Sequence, residues 1–378
     1  MPTSLSGARV VTPGGVLDPG WIRLRGSMIG DVGAGRVDDG VTLDGHWVLP
    51  GFVDLHMHGG GGHDVATSTA ELRGAVDFHR SRGTTSTLVS FVAAPVDRLC
   101  TQLSWVAGRP AGGVLGSHLE GPFLAESRRG AQNPDHLREP DLGVVRELLG
   151  AAGGTLRVMT VAPELPGALD AIELLLESGV IPAIGHTDAT YEQASAAVAR
   201  GARLATHLFN GMRPIHHREP GPVLAALDAG LAAEMIHDGV HLHPAIVRMV
   251  AAHPAVRLVL VTDAIAAAGV PDGDFELGGQ RVVVRGGVAR LAGSDALAGS
   301  TLTMDVAVRR TVLDAGLPMQ QASAAASATP AAVIGAAGSV GAIAPGRSAD
   351  LVVLDDELRL VAVLVAGAVV AGELPGRR

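Results

Sequence analysis

The sequence predicts an α/β fold, a (β/α)8 barrel of the TIM type with a small β-sandwich domain formed by the N- and C-terminal segments. From residue 50 onward, apolar stretches of strand length alternate eight times with polar loops and helical stretches rich in alanine and leucine. This alternation is typical of a parallel barrel. The chain has 378 residues, which is enough for one large barrel and a small second domain.

The elements are expected in the following order. Residues 1–48 and 341–378 contain short strands broken by turns, and we expect them to form the small domain together. The barrel is predicted over 49–340, with a β-hairpin insertion near 275–292. Its strands are predicted at 51–56, 85–91, 114–119, 156–161, 180–185, 203–207, 232–236 and 257–262. Helices are predicted at 70–82, 134–149, 169–178, 191–200, 301–315 and 319–335, among others.

Composition excludes several classes of function. The net charge is −9 and there is no basic run, which argues against nucleic acid as a partner. The longest apolar run, 360–372, is too short to span a membrane, and the N-terminus does not resemble a secretory signal. We therefore expect a cytoplasmic protein with no membrane partner. Cys100 is the only cysteine, so neither an internal disulfide nor a cysteine zinc site is possible.

Two histidines end the first predicted barrel strand, within Pro50–Gly59. Because strand side chains alternate between faces, His56 and His58 point the same way. Taken alone, they fit half of a metal site and a polar strand end in solvent equally well. Other predicted strands end on residues of the same chemistry: Glu120, His186, His207 and Asp263.

Barrels of this type place their chemistry at the C-terminal ends of the strands. Four histidines and two carboxylates converging there would be costly to bury without a cation. These donors suit zinc, iron or manganese better than calcium. The chain contains no lysine, so an anionic ligand bridging two metals would have to be a carboxylate. Asp263 is the natural proton shuttle beside a water activated by the metal; a further ligand or a helix cap are the alternatives for it.

A set of motifs in this order resembles the N-acetylglucosamine-6-phosphate deacetylase family of the amidohydrolase superfamily. The resemblance runs from about residue 40 to 346–354. The motifs are Pro50–Gly59, His118–Phe123, Gly185–Thr187, Thr206–Met212, Arg218–Gly221, Asp238–His241, Thr262–Ala264 and Leu297–Met304. The resemblance implies metal-dependent hydrolysis of the N-acetyl group of a phosphorylated amino sugar, which yields acetate and glucosamine 6-phosphate.

The resemblance also implies roles for individual residues. Glu120, His186 and His207 would hold the principal metal, and Asp263 would be the catalytic acid and base. Because His56 and His58 are both present, one or two divalent metals, zinc or iron, are expected, with Glu120 bridging a pair. Substrate contacts are implied for Ala131, Gln132, Asn210, Gly211, Arg218, His241, Leu297, Ala298 and Gly299. His241 and Arg218 would clamp the phosphate, with the arginine reaching in from the neighbouring subunit of a homodimer.

One departure from the family pattern concerns Gln132, which stands where the family usually has a histidine that polarises the acetyl carbonyl. Glutamine donates a hydrogen bond but carries no charge. Two alternatives therefore stay open. One is the same chemistry on a related substrate, N-acetylgalactosamine 6-phosphate or another N-acyl sugar. The other is a weakly catalytic paralogue that binds a sugar phosphate. No role is predicted for His63 or His237.

Overall fold

The barrel is formed by eight parallel strands in a computed structural model that describes residues 4–108 and 111–375. Each strand pairs with the next one along the chain, which is the order of a (β/α)8 barrel. The strands are β1 (Phe52–Asp54), β2 (Thr84–Val92), β3 (Val114–Glu120), β4 (Leu156–Val161), β5 (Ile181–Ile184), β6 (Leu204–Ala205), β7 (Ala232–Met235) and β8 (Arg257–Leu260). The predicted fold class is confirmed.

Contacts just beyond the strand ends bring the first and last strands together. Met57 forms a parallel bridge with Ala264, and the Asp263 N–H donates to the His56 carbonyl over 2.8 Å. The residues of β2 are all buried, as expected where helices cover a parallel sheet. The ring therefore gathers the residues that follow β1 and β8 at one place.

Ten α-helices lie in the described residues: Thr69–Ser81, Val96–Ala107, Leu142–Ala152, Ala168–Glu177, Tyr191–Arg200, Gly221–Asp228, Pro244–Ala251, Met304–Leu313, Met319–Ala326 and Ala328–Val333. Two 3-10 turns, Glu126–Arg128 and Pro134–His136, interrupt the loop after β3. The helix predicted over 134–149 is wrong in its first half. Pro140 cannot sit inside a helix, and the Asp141 side chain caps the real helix by accepting from the Val144 N–H at 3.0 Å.

Segments from the N-terminal and C-terminal parts of the described residues form a second, eight-stranded sheet with its own apolar core. Its strands are Ser4–Thr12, Gly15–Arg25, Met28–Ala34, Val41–Thr42, Trp47–Pro50, Leu351–Leu354, Leu360–Val365 and Ala368–Gly372. The predicted hairpin insertion is a three-stranded sheet: Gly273–Leu277, Gln280–Arg285 and Val288–Leu291. Two further short strands, Gly59–Gly60 and His63–Asp64, pair with each other.

The described residues form two compact units. One contains the residues up to Asp54, Asp77–Ser86 and the residues from Thr303 onward; the other contains Leu55–Val76 and Thr87–Leu302. The predicted boundaries at residues 48 and 341 remain a prediction. All candidate site residues lie in the second unit. In the part of the chain that the structure describes, no helix has the length and apolar character needed to cross a membrane.

Candidate metal centre and active site

The ends of five barrel strands supply the candidate metal ligands and Asp263. His56 and His58 follow β1, and Glu120 is the last residue of β3. His186, His207 and Asp263 follow β5, β6 and β8. All six side chains are buried, so the carboxylates and imidazoles face one another and not bulk water.

Three of these residues adopt a backbone conformation that is unusual for side chains with a Cβ. The φ angles are 46° at His186, 27° at His207 and 49° at Asp263. Such conformations cost about 1–3 kcal/mol each and persist where the surroundings hold them. At Asp263 two backbone hydrogen bonds fix this conformation. The Asp263 carbonyl accepts from the Ser300 N–H at 2.7 Å, and the Asp263 N–H donates to the His56 carbonyl.

The first candidate ligand group consists of Glu120, His186 and His207. Glu120 Oε1 lies 2.8 Å from His207 Nε2 and 3.0 Å from His186 Nε2. The two imidazole nitrogens are 3.1 Å apart. Three donor atoms from three strands therefore converge within the reach of a single cation.

The second group shares Glu120 with the first and adds His56 and His58. The Nε2 atoms of the two histidines lie 3.0 Å apart. His58 Nε2 is 3.4 Å from Glu120 Oε2, and His56 Nε2 is 3.6 Å from Glu120 Oε1. Glu120 thus presents its carboxylate to both groups, as a bridging ligand requires.

The chemistry of these donors fits a divalent cation. His58 Nδ1–H donates to the Ser90 carbonyl at 3.1 Å, and His186 Nδ1–H donates to the Arg128 carbonyl at 2.8 Å. Since each neutral ring carries only one N–H, both Nε2 atoms then present lone pairs to the cluster. Lone pairs that face other nitrogens and carboxylate oxygens at about 3 Å repel unless positive charge compensates for them, supplied by a bound metal ion or, in the metal-free chain, by protons on the imidazoles.

Asp263 lies beside the second group. Its Oδ1 is 3.2 Å from His58 Nε2 and 3.5 Å from His56 Nε2. Burial opposes ionisation of this carboxyl, but His56 and His58 outweigh burial, and the pKa of Asp263 is lowered below its ordinary value. Asp263 is therefore a carboxylate at neutral pH, which is the form that accepts a proton.

The same carboxylates act on the histidines of the metal-free chain. Burial disfavours the charged imidazole of His58, but Asp263 and Glu120 outweigh burial and raise its pKa to about 9. Because this folded value exceeds the ordinary 6.5, protonation of His58 stabilises the metal-free fold fully below pH of about 6.5. That contribution is lost as the pH rises through about 9.

Metal binding should therefore release protons, because a ligating imidazole must be neutral. We expect Zn²⁺ binding to the metal-free chain at neutral pH to release at least about one proton, and apparent affinity to rise with pH up to about 9. Calorimetric titration in buffers of different ionisation enthalpy measures this release. Binding at neutral pH without proton release would contradict the assignment of His58 as a ligand.

A cavity of about 280 Å³ opens onto both ligand groups and Asp263. Seven of the nine predicted substrate contacts line it: Ala131, Gln132, Asn210, Gly211, His241, Leu297 and Gly299. Ala298 instead packs in the apolar cluster beside the three-stranded sheet. Arg218 is exposed on a loop, borders a different groove and does not line this cavity. Its Nη1 contacts His217 Nε2 at 2.8 Å.

Gln132 is held in one orientation. Its Oε1 accepts from the Ala93 N–H at 2.8 Å, which fixes its Nε2 as the group that donates to Glu120 Oε2 at 2.7 Å. Gln132 therefore restrains the shared carboxylate, a role that its position in the sequence does not suggest. Its Nε2 carries a second N–H, and since Gln132 lines the cavity, that hydrogen is the donor it can offer to a ligand.

Sequence reasoning missed other parts of this site. Gly130, Leu277 and Ala296 also line the cavity. Glu234 accepts a hydrogen bond from His56 Nδ1 at 3.1 Å, from a position inside the apolar strand β7. A single carboxylate within an otherwise apolar strand is a signal that could have identified Glu234. His63, for which no role was predicted, pairs with Glu71 at 2.8 Å on the partly exposed surface.

Comparison with known proteins places the chain in a family. The model of the Amidohydrolase family matches residues 47–373. An N-acetylgalactosamine-6-phosphate deacetylase of Escherichia coli O157:H7 is 38% identical over 371 residues, covering 96% of this chain and 98% of that protein. An N-acetylglucosamine-6-phosphate deacetylase of Danio rerio is 39% identical over 350 residues, covering 88% and 86%.

A solved structure shares the fold throughout. It is a mutant N-acetyl-D-glucosamine-6-phosphate deacetylase from Mycobacterium smegmatis, with an aspartate changed to alanine, in complex with N-acetyl-D-glucosamine-6-phosphate. It is 42% identical and covers 98% of this chain and 99% of its own, with a TM-score of 0.95. The chain belongs to the amidohydrolase family and, within it, to the N-acetylglucosamine-6-phosphate deacetylases.

Proposed function

We propose that this protein hydrolyses N-acetyl-D-glucosamine 6-phosphate to D-glucosamine 6-phosphate and acetate in amino-sugar catabolism. The observation that carries the proposal is the cavity in which two candidate metal-ligand groups, Asp263 and seven of the predicted substrate contacts meet. We further propose that Glu120, His186 and His207 hold one zinc or iron ion, and that His56 and His58 hold a second one with Glu120. When bound, such an ion supplies Lewis acidity that polarises the acetyl carbonyl and lowers the pKa of a water.

In the proposed reaction, Asp263 moves the proton. Its Oδ1 takes a proton from the water that attacks the acetyl carbon, and a tetrahedral carbon results. The same oxygen then gives that proton to the amide nitrogen as the C–N bond breaks. The second proton of the water leaves the new carboxylic acid for the amine or for solvent, so acetate and the amino sugar leave, one water is consumed and Asp263 ends as the carboxylate. Gln132 restrains Glu120 during these steps, and its second N–H faces the substrate.

His241 and Arg218 are proposed to bind the phosphate. His241 Nδ1 contacts Asp238 Oδ2 at 2.7 Å, which leaves Nε2 as the ring nitrogen available to a ligand in the cavity. Arg218 does not line the cavity of its own chain. Its exposed position supports the proposal that it serves the neighbouring subunit of a homodimer, where a guanidinium fork matches phosphate oxygens.

Acetate release from N-acetylglucosamine 6-phosphate, with metal content measured on the same sample, tests the proposed function. Turnover with about one to two metal ions per chain is the expected result. Because the Escherichia coli relative is named for the galactosamine epimer, N-acetylgalactosamine 6-phosphate is assayed in parallel. Faster turnover of that epimer would replace the proposed substrate. Tight binding of both sugars by a metal-loaded chain without acetate release would instead favour a binding paralogue.

Replacing Arg218 with alanine tests the phosphate clamp. We expect the KM for the phosphorylated sugar to rise about 10–100-fold, the effect of losing a charge-assisted hydrogen bond worth about 1.5–3 kcal/mol. N-acetylglucosamine without phosphate is the control substrate, and its kinetics should not change. Equal effects on both sugars would contradict the clamp.

Mixed dimers test whether Arg218 acts across subunits. In a dimer of one Arg218→Ala chain and one Asp263→Asn chain, the first chain keeps Asp263 and would receive Arg218 from its partner. Co-expressed chains should therefore regain low-KM activity that neither variant has alone. If Arg218 serves its own site, mixing restores nothing.

A further inference from the structure

Glu234 is a carboxylate buried in the middle of the barrel. It lies in β7 between Ala233 and Met235, and its exposed fraction is 0%. Its Oε1 makes no hydrogen bond among the residues that the structure describes. Burying a carboxylate with an unpaired oxygen is costly unless positive charge compensates for it. Apolar side chains elsewhere in β7 show that the strand itself does not need this group.

The other oxygen of Glu234 contacts one residue of each candidate ligand group, on the side away from the converging Nε2 atoms. Oε2 accepts from His56 Nδ1–H at 3.1 Å and from the backbone N–H of His207 at 3.2 Å. The first bond fixes the tautomer of His56, so that its Nε2 lone pair points into the cluster. The second bond, together with the Leu208 N–H that donates to the Glu234 carbonyl at 2.8 Å, holds the chain where His207 has its left-handed φ.

The partner of His56 differs in kind from the partners of the other rings. His58 and His186 each donate Nδ1–H to a neutral backbone carbonyl. His207 Nδ1 has no hydrogen-bond partner within the described residues. A carboxylate behind a ligating imidazole fixes the ring and strengthens its lone pair, and removing such a partner typically costs about 10–100-fold in metal affinity.

We propose that Glu234 is the positioning residue that holds a divalent cation at the His56–His58–Glu120 group and couples this group to the Glu120–His186–His207 group. The inference rests on the proposed metal site. It assigns the second ion to ligands from β1 and β3. Strand β7 supplies no ligand, but Glu234 orients His56 of this group and holds the backbone of His207 of the other group.

Zn²⁺ titration of the metal-free full-length chain tests the proposal without substrate. The variants are Glu234→Gln, Glu234→Ala and a matched control, Asp305→Asn. Asp305 is also a buried carboxylate with an unpaired oxygen, but it makes no hydrogen bond or ion pair with the candidate ligands. In Glu234→Gln the amide oxygen can accept both hydrogen bonds of Oε2, so the geometry is kept and only the charge is lost.

Two equivalents of Zn²⁺ are expected for the unaltered chain and for Asp305→Asn. Glu234→Gln should bind one equivalent normally and the other about 10–100-fold more weakly. Glu234→Ala should weaken both, because it also releases the backbone of His207. The rise in thermal unfolding temperature on adding Zn²⁺ should be smaller for Glu234→Gln than for Asp305→Asn.

Three results would overturn the inference: a single equivalent in the unaltered chain, unchanged binding of both equivalents by Glu234→Gln, or an equal loss in Asp305→Asn. Glu234→Gln keeps the test decisive if Glu234→Ala does not fold. A chain that shows the expected Zn²⁺ binding but releases no acetate from either epimer would refute the proposed function while leaving the role of Glu234 intact.

Discussion

Asp263→Asn is expected to lower the turnover of N-acetylglucosamine 6-phosphate by about 10³-fold or more, which lies within the range that general acid–base catalysis contributes. Asparagine has nearly the same shape as aspartate, but it cannot accept a proton from water or return one to the leaving amine. The expected loss appears in kcat, with KM little changed, because the step removed follows substrate binding.

Metal content separates the roles that the sequence left open for Asp263. As a proton shuttle, Asp263 can be replaced without losing the cations, so the variant should keep the metal content of the unaltered chain and still bind the substrate. If Asp263 is instead a metal ligand, its replacement should lower the metal content of the chain. Asp295→Asn is the control, because it makes the same change at an exposed position close in sequence to the cavity-lining Leu297. Substantial activity in Asp263→Asn would show that another group moves the proton.

The position of Asp263, and of the five candidate ligands, could be predicted because the fold constrains it. In a parallel barrel all strands point the same way, so polar residues directly after apolar strands must meet at one end. His56 and His58 follow from the two-residue period of a strand. The strand pattern alone predicts this convergence, even for β6, which is predicted over 203–207 and comprises Leu204–Ala205.

Features that depend on three-dimensional packing could not be predicted. Gln132 lies within the long loop after β3, and nothing in the sequence shows that Ala93 would fix its amide and direct the nitrogen to Glu120. The carboxylate of Glu234 stands out in the otherwise apolar strand β7, but its link to His56, which spans 178 positions of the chain, could not be predicted. The helix predicted over 134–149 is wrong for a local reason, since Pro140 interrupts the helical periodicity and Asp141 caps the helix that follows.

Glu120→Gln is expected to have the other large effect, the loss of both metal positions. Glu120 supplies the only negative charge common to the two candidate groups in the described residues, and four imidazoles surround it. Burial opposes its ionisation, but His56 and His186 outweigh burial and hold the pKa of Glu120 well below its usual range. The carboxylate is therefore ionised at every pH at which the protein would work.

Glutamine at position 120 would keep the size of the side chain and remove that charge. Its NH2 group would also turn a donor toward lone pairs of His186, His207 or His58, where the carboxylate offers an acceptor. We expect the Zn²⁺ affinity to fall by more than the about 10–100-fold that is typical when the hydrogen-bond partner of a ligand is removed. Acetate release should be undetectable. Gln132 would lose its acceptor as well, since its N–H faces Glu120 Oε2.

Glu126→Gln provides the matched control. This substitution makes the same chemical change at an exposed residue of a 3-10 turn, six positions away in the chain. Zn²⁺ titration and acetate release should both match the unaltered protein there. If Glu120→Gln retained one equivalent of Zn²⁺ at full affinity, Glu120 could not be shared by both groups, and one set of histidines would have to bind its ion without it. If it retained both equivalents and lost only activity, Glu120 would act on the substrate and not on the metal.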